Sequence, residues 1–174
     1  MKKILILYCS KHKQTFKISK FIQKKLSSHF SIKVHCISEV NRINLVSFDK
    51  IVIGASIYYG KHSNDIIEFV KKYKYVLEQV KTAFFSVNAV ARKINKSLPY
   101  SNPYLGKFLI KTAWYPDLMA VFGGKIDYPN YTVINKFIIF IIMVLTKGPK
   151  DIKISHEFTN WKRVSQFSSK IMTL

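Results

Sequence analysis

The sequence predicts a doubly wound α/β domain: a five-stranded parallel sheet with helices on both faces and a long insertion in the C-terminal half. Three observations predict it. Apolar runs of strand length recur at residues 4–7, 32–37, 50–56, 81–88 and 117–123. Longer stretches between them place apolar residues at helical spacing. The strongest runs show no polar alternation, as expected for strands buried on both faces of a parallel sheet. A chain of 174 residues with 48% hydrophobic content is long enough for one domain with a substantial core.

The elements follow in order. Lys3 opens a run of Ile and Leu that ends in the polar loop Cys9-Ser10-Lys11-His12-Lys13-Gln14-Thr15. From Thr15 to about His29, Ile18, Phe21, Ile22 and Leu26 mark one helix face. Residues 32–37 alternate and read as a strand, and residues 41–48 as a loop or short helix. The run KIVIGAS over residues 50–56 is the next strand, and it leads into the aromatic loop from Ile57 to His62. A helix is expected over residues 63–80, with Ile66, Phe69, Val70, Tyr73 and Leu77 on one face. Strand KTAFFSVN then opens into a long loop, residues 89–102, holding Arg92, Lys93 and Pro99.

Residues 103–114 read as a helix with Pro in its first turn, a tolerated position. DLMAVFG over residues 117–123 is the fifth strand, followed by a Gly/Pro/Tyr loop over residues 124–131. VINKFIIFIIMVL, residues 133–145, is almost wholly apolar; residues 147–156 are polar. A final helix is expected from Thr159, as its N-cap, to about Met172.

Lys and Arg total 29 against 9 Asp and Glu, a net charge of +20. Such an excess suits a nucleic acid, an anionic membrane or an acidic small molecule. The cations are spread over every expected helix rather than gathered on one face, which weighs against a nucleic-acid module, and no nucleic-acid partner is expected. Cys9 and Cys36 do not make a disulfide framework and are expected as reduced thiols. No secretory signal is visible, and a reducing, cytoplasmic setting is expected. His12, His29, His35, His62 and His156 show no zinc-ligand spacing, so no metal site is expected.

In a doubly wound sheet, ligands sit outside the C-terminal strand ends near the reversal of strand order. That rule gathers four segments. Ser10, Lys11, His12, Lys13, Gln14 and Thr15 form a candidate phosphate grip, with hydroxyls, cations and a helix N-terminus in one loop. The glycines of the dinucleotide and P-loop motifs are missing, so an ordinary polar βα turn stands as the alternative. Ser56, Ile57, Tyr58, Tyr59 and Gly60 supply aromatic rings for a flat heterocycle. Ser86, Val87 and Asn88 begin the third segment, and Gly123 and Gly124 the fourth.

These residues carry a resemblance. The chain resembles the flavodoxin fold, and within it the bacterial flavodoxin-like, FMN-dependent, quinone-coupled protoporphyrinogen IX oxidases. The stretches that carry the likeness are KILILYCSKHKQT, VIGASIYYG at residues 52–60, FFSVNAVARK at residues 84–93, and KFLIKTAWYPDLMAVFGGKIDYP at residues 107–129. The resemblance implies one flavodoxin-like domain over residues 1–174. It implies that Ser10 to Thr15 hold the FMN phosphate and that the loops beginning at Phe84 and Gly123 flank the isoalloxazine. One departure is visible: the family's Asp-Gly before Gln-Thr is His12-Lys13 here. A residue without glycine's freedom therefore enters the loop, and Lys13 adds charge toward the phosphate.

The implied reaction dehydrogenates protoporphyrinogen IX to protoporphyrin IX in two-electron steps and passes the electrons to a membrane quinone, menaquinone or ubiquinone. The cofactor carries the redox chemistry, so no catalytic triad is expected. Arg92 and Lys93 are expected to meet the substrate's propionates, for which a guanidinium is suited. His62 is a minor candidate for a proton relay. The apolar run over residues 133–145 is too short to span a bilayer. It reads either as a helix buried on the sheet or as an interfacial helix on an anionic membrane surface, flanked by Lys136, Lys147 and Lys150. The interfacial reading places the protein peripherally on the cytoplasmic face of the inner membrane. The competing function is a flavodoxin-type FMN electron carrier with no organic substrate of its own.

Overall fold

Strand order reverses once, and that reversal positions the site. The computed structural model describes residues 1–10 and 13–174. The expectations for Lys11 and His12 therefore lie outside the described residues. The strands are β1 (Lys3–Cys9), β2 (Ser31–Cys36), β3 (Lys50–Tyr58), β4 (Lys61–His62), β5 (Lys81–Asn88), β6 (Leu118–Gly123), β7 (Lys125–Asp127) and β8 (Ser155–Glu157). The main sheet runs β2-β1-β3-β5-β6, all parallel, with β4 added to β3. The chain winds outward from β1 to β2, then returns to the other side of β1, so the reversal lies between β1 and β3.

Each of the five expected parallel strands is present. Alternate residues point to opposite layers. Leu5, Leu7, Ile51, Ile53, Phe84 and Val121 pack under α2 (Asn64–Gln79) and α3 (Pro103–Thr112). Ile4, Ile6, Val52, Ala83, Phe85 and Phe122 pack under α1 (Gln14–Leu26) and α5 (Trp161–Thr173). The central strands are thus buried on both sides, which is why they lack polar alternation. At Gly54 the close approach is absolute: an added Cβ would sit 2.1 Å from the Phe85 ring, which fills that place.

Local chemistry sets the element ends. Asn102 caps α3 by accepting from the backbone N–H groups of Tyr104 and Leu105. Asn160, not the expected Thr159, caps α5 by accepting from Arg163 N–H. Thr159 instead donates to the Gly123 carbonyl at 2.7 Å and accepts from Gln14 Nε2 at 2.8 Å. Tyr59 and Gly60 both take positive φ, 47° and 76°, the backbone of a tight hairpin turn between β3 and β4.

Between β6 and α5 the chain departs from the sheet. β7 and β8 form a two-stranded antiparallel ribbon, and α4 (Val133–Leu145) lies between them in sequence. Neither short strand was expected. The helix is present, but the sheet-buried reading of it is overturned: among its residues only Met143 is buried. It rests on a small separate cluster of Ile126, Tyr128 and Met143, bordered by Ile139, Phe140 and Tyr131. Its outer side is apolar and open, with Val133 82%, Phe137 65% and Leu145 77% exposed.

Candidate active site

The C-terminal ends of β1, β3 and β5 open onto a cleft. Gln14 and Thr15 line one end of it, residues 56–60 one wall, and Val87, Asn88, Ala89 and Val90 the next. Gly124, Lys125 and Ile126 continue the lining, and Ile139, Ile142 and Met143 of α4, with Thr146 at its C-terminal cap, close it from outside.

The Thr15 end is built for an anion. Lys13 sits at the N-cap of α1 in helical conformation, φ −49°, and provides no side-chain cap. The non-glycine residue is therefore accommodated at position 13 without positive φ. The first intrahelical bond is from Lys17 N–H to the Lys13 carbonyl at 2.9 Å. The N–H groups of Gln14, Thr15 and Phe16 precede it, free of any intrahelical acceptor, at the positive end of the helix dipole. Thr15 is fully buried, lines the cleft, and its hydroxyl has no hydrogen-bond partner among the described residues. A buried hydroxyl in that condition costs about 1–3 kcal/mol until an acceptor arrives. A phosphate supplies one, so the residues present fit the phosphate of FMN. Gln14 behaves differently: its amide donates to Glu157 Oε1 and Thr159 Oγ1, tying α1 to β8. Burial raises the Glu157 carboxyl, but hydrogen bonds from Lys17 and Gln14 outweigh it and hold the group below the ordinary carboxylate range.

The aromatic wall is present in part. Tyr58 and Tyr59 stand with ring centroids 4.1 Å apart, both on the cleft, and Ile57 and Ser56 lie beside them. Val87, Asn88 and Gly124 are also in the lining. Phe84 and Ser86 are not brought to the cleft. Phe84 is wholly buried one layer down, stacked on Phe108 at 4.5 Å. Ser86 is buried as well and meets His62 Nε2 at 3.1 Å and Asn88 Nδ2 at 3.3 Å. Gly123 serves packing instead, since a Cβ there would lie 2.3 Å from the Phe158 carbonyl oxygen. Ser10 follows β1 directly and is half-buried.

Arg92 reaches the cleft, but not as a free carboxylate receptor. One terminal nitrogen donates to the Ala89 carbonyl at 2.9 Å, the other to the Thr146 carbonyl at 3.1 Å and hydroxyl at 2.6 Å. It fastens the C-terminal end of α4. The Tyr59 hydroxyl donates to Asn135 Oδ1 near the N-terminal end. Helix α4 is thus strapped across the cleft at both ends. Lys93 is exposed and does not line the cleft. His62 is 4% exposed and packs against Phe108 and Phe84; burial pushes its pKa down to about 4. It does not line this cleft, and burial disfavours the protonated form that a relay passes through.

Sequence reasoning missed four contributors. Ile139, Ile142 and Met143 line the cleft from a helix about 50 residues beyond the Asn88 loop, and Tyr104 lines it from α3. The unbroken apolar circumference of residues 137–145 was the available signal, because a helix with two different apolar neighbours needs two apolar sides.

Comparison with known proteins bears on this geometry. The flavodoxin domain family matches residues 5–153. Protoporphyrinogen IX dehydrogenase [quinone] of Escherichia coli (strain K12) is 35% identical over 173 residues, 99% of this chain and 96% of the relative. The protein of the same name from Leishmania major is 35% identical over 176 residues, 99% of this chain and 75% of the relative. Among solved structures, oxidised Flavodoxin 1 from Bacillus cereus superposes with a TM-score of 0.56 at 14% identity, covering 99% of this chain and 98% of that one. That likeness shows a shared fold.

Proposed function

The chain belongs to the flavodoxin domain family, among the relatives of the quinone-linked protoporphyrinogen IX dehydrogenases, and from that premise we propose that it oxidises protoporphyrinogen IX to protoporphyrin IX with FMN and delivers the electrons to a membrane quinone. One observation carries the reading beyond family membership. The cleft that suits a flavin is closed by a helix whose inner side lines the site and whose outer side is an exposed apolar surface. An electron carrier moving between water-soluble partners has no use for such a wall. An enzyme that meets a lipid-dissolved quinone does.

When bound, FMN supplies the acceptor for the electrons removed from the macrocycle and the donor for the quinone. The chain's own residues do the rest. The Thr15 hydroxyl and the opening N–H groups of α1 hold the phosphate; Lys13 adds charge nearby. Tyr58 and Tyr59 offer ring faces for a flat heterocycle. Ile139, Ile142 and Met143 keep water from the cleft, and the bonds of Arg92 and Tyr59 hold them there. Val133, Ile134, Phe137, Ile141 and Leu145 settle into the membrane interface, with Lys147 and Lys150 beside them for anionic lipid. No helix among the described residues is long and apolar enough to cross a membrane.

The test is anaerobic. FMN-loaded protein given protoporphyrinogen IX is expected to form fluorescent porphyrin stoichiometric with the flavin or beyond it only when a soluble quinone is added, because each flavin takes two electrons and the full oxidation removes six. FMN binding without any porphyrin, the substrate remaining intact, favours the electron-carrier reading instead.

A further inference from the structure

A second groove lies next to the cleft and shares Gly60 and Tyr104 with it. Its cavity volume is about 290 Å3. The floor is apolar: Ile67 from α2, Phe108 from α3 and the neutral, buried His62 from β4. The rim is cationic. Lys61 projects from the β3–β4 hairpin, and Lys107 and Lys111 stand one turn apart on α3.

Two features suit this rim to an anion. No acidic side chain lines the groove, and none of the three lysine ammonium groups has an ion-pair or hydrogen-bond partner among the described residues. In addition, Lys107 and Lys111 are like charges at i and i+4, an arrangement that disfavours the helix slightly and that an anion would relieve. The ligand that fits has an apolar body, carboxylates on one edge, and an extent larger than the groove.

We propose that this groove takes the propionate-bearing edge of the tetrapyrrole, with Lys61, Lys107 and Lys111 binding its carboxylates. The inference rests on the function proposed above and supplies the substrate contact that Arg92, already fastened to α4, does not provide. Both propionates of protoporphyrinogen IX leave one edge of the macrocycle. With that edge on the lysines and its pyrroles over Phe108, the remaining rings extend past Tyr104 and Gly60 to the mouth of the flavin cleft. The shared residues make groove and cleft one continuous surface.

The experiment compares the FMN-loaded wild type with the K61A/K107A/K111A variant and with K107E, a single charge reversal. All three lysines are exposed, and substitutions at such positions barely affect folding. Protoporphyrin IX and its dimethyl ester are titrated in separate runs, read by quenching of porphyrin fluorescence, and KM and kcat are measured for protoporphyrinogen IX. The expected result is an affinity for the free acid about tenfold weaker or more in the triple variant, a corresponding rise in KM, and FMN affinity unchanged. The ester, which carries no charge, is expected to bind wild type and variants alike. Equal affinity of wild type and both variants for the free acid overturns the proposal, even if the wild type is active. A wild type that binds the acid in a lysine-dependent way but oxidises no porphyrinogen supports the groove and contradicts the function.

Discussion

The buried hydroxyl of Thr15, unpartnered among the described residues, is a single-residue question with a single-residue answer. Thr15→Val keeps the shape and removes the donor. FMN affinity is expected to fall about tenfold or more, because a hydrogen bond to a charged acceptor is lost. Thermal stability of the flavin-free protein should hold or rise, since the orphan group is gone. Unchanged FMN affinity in a fluorescence titration would show that Thr15 does not face the phosphate. His62 gives a second prediction. Its pKa in the fold is about 4 against an ordinary 6.5, so the unfolded chain takes up its proton first as pH falls. Stability from this group is intact above pH 6.5 and drains between 6.5 and about 4, at about 1.4 kcal/mol per pH unit where the difference is complete. His62→Gln should flatten that part of a stability–pH curve; an unchanged slope contradicts the burial argument. Side-chain roles were the least legible layer of the sequence. Thr15 was readable from its place after a strand. Arg92 was not, because its partner Thr146 is 54 positions away and nothing local announces it. Phe84 and Ser86 belong to the expected segment, yet both lie within β5, below the strand end where Val87 and Asn88 open onto the cleft.

At the scale of elements, the parallel strands were legible because burial on both faces leaves them as continuous apolar runs. The β7–β8 ribbon was not, because three residues per strand give no period to read. Helix α4 was visible as a helix, but its place followed from tertiary contacts. Its fastening yields a prediction. Arg92→Ala frees the Thr146 end, and limited proteolysis near residues 146–150 should accelerate. Stability is expected to drop by about 1–3 kcal/mol, as for other buried bonds left unmade. Arg92→Lys should not restore the wild type, because an ammonium cannot reproduce two nitrogens donating in different directions. Equal cleavage rates in wild type and Arg92→Ala would mean that α4 is held by its apolar contacts alone. Within the sheet, Gly54→Ala forces a methyl into the Phe85 ring and is expected to cost about 1–3 kcal/mol or more in urea unfolding. No loss would require Phe85 to have another rotamer open to it.

For the whole molecule, charge and the exposed face of α4 act together. With a net charge of +20, the protein should bind anionic vesicles strongly at low salt and release partly as salt screens the lysines. I134D/F137D removes apolar contact at two exposed positions. It should weaken vesicle binding and quinone-dependent turnover together, leaving thermal stability and FMN affinity as they were. Binding to neutral and anionic vesicles alike, or none to either, contradicts this account of attachment. The central claim is the electron route, and anaerobic stopped-flow absorbance of the FMN-loaded protein tests it most directly. Protoporphyrinogen IX should bleach the oxidised-flavin band, and a quinone pulse should restore it as porphyrin accumulates. A flavin band that stays oxidised over intact porphyrinogen, yet bleaches with a chemical reductant, would contradict the account.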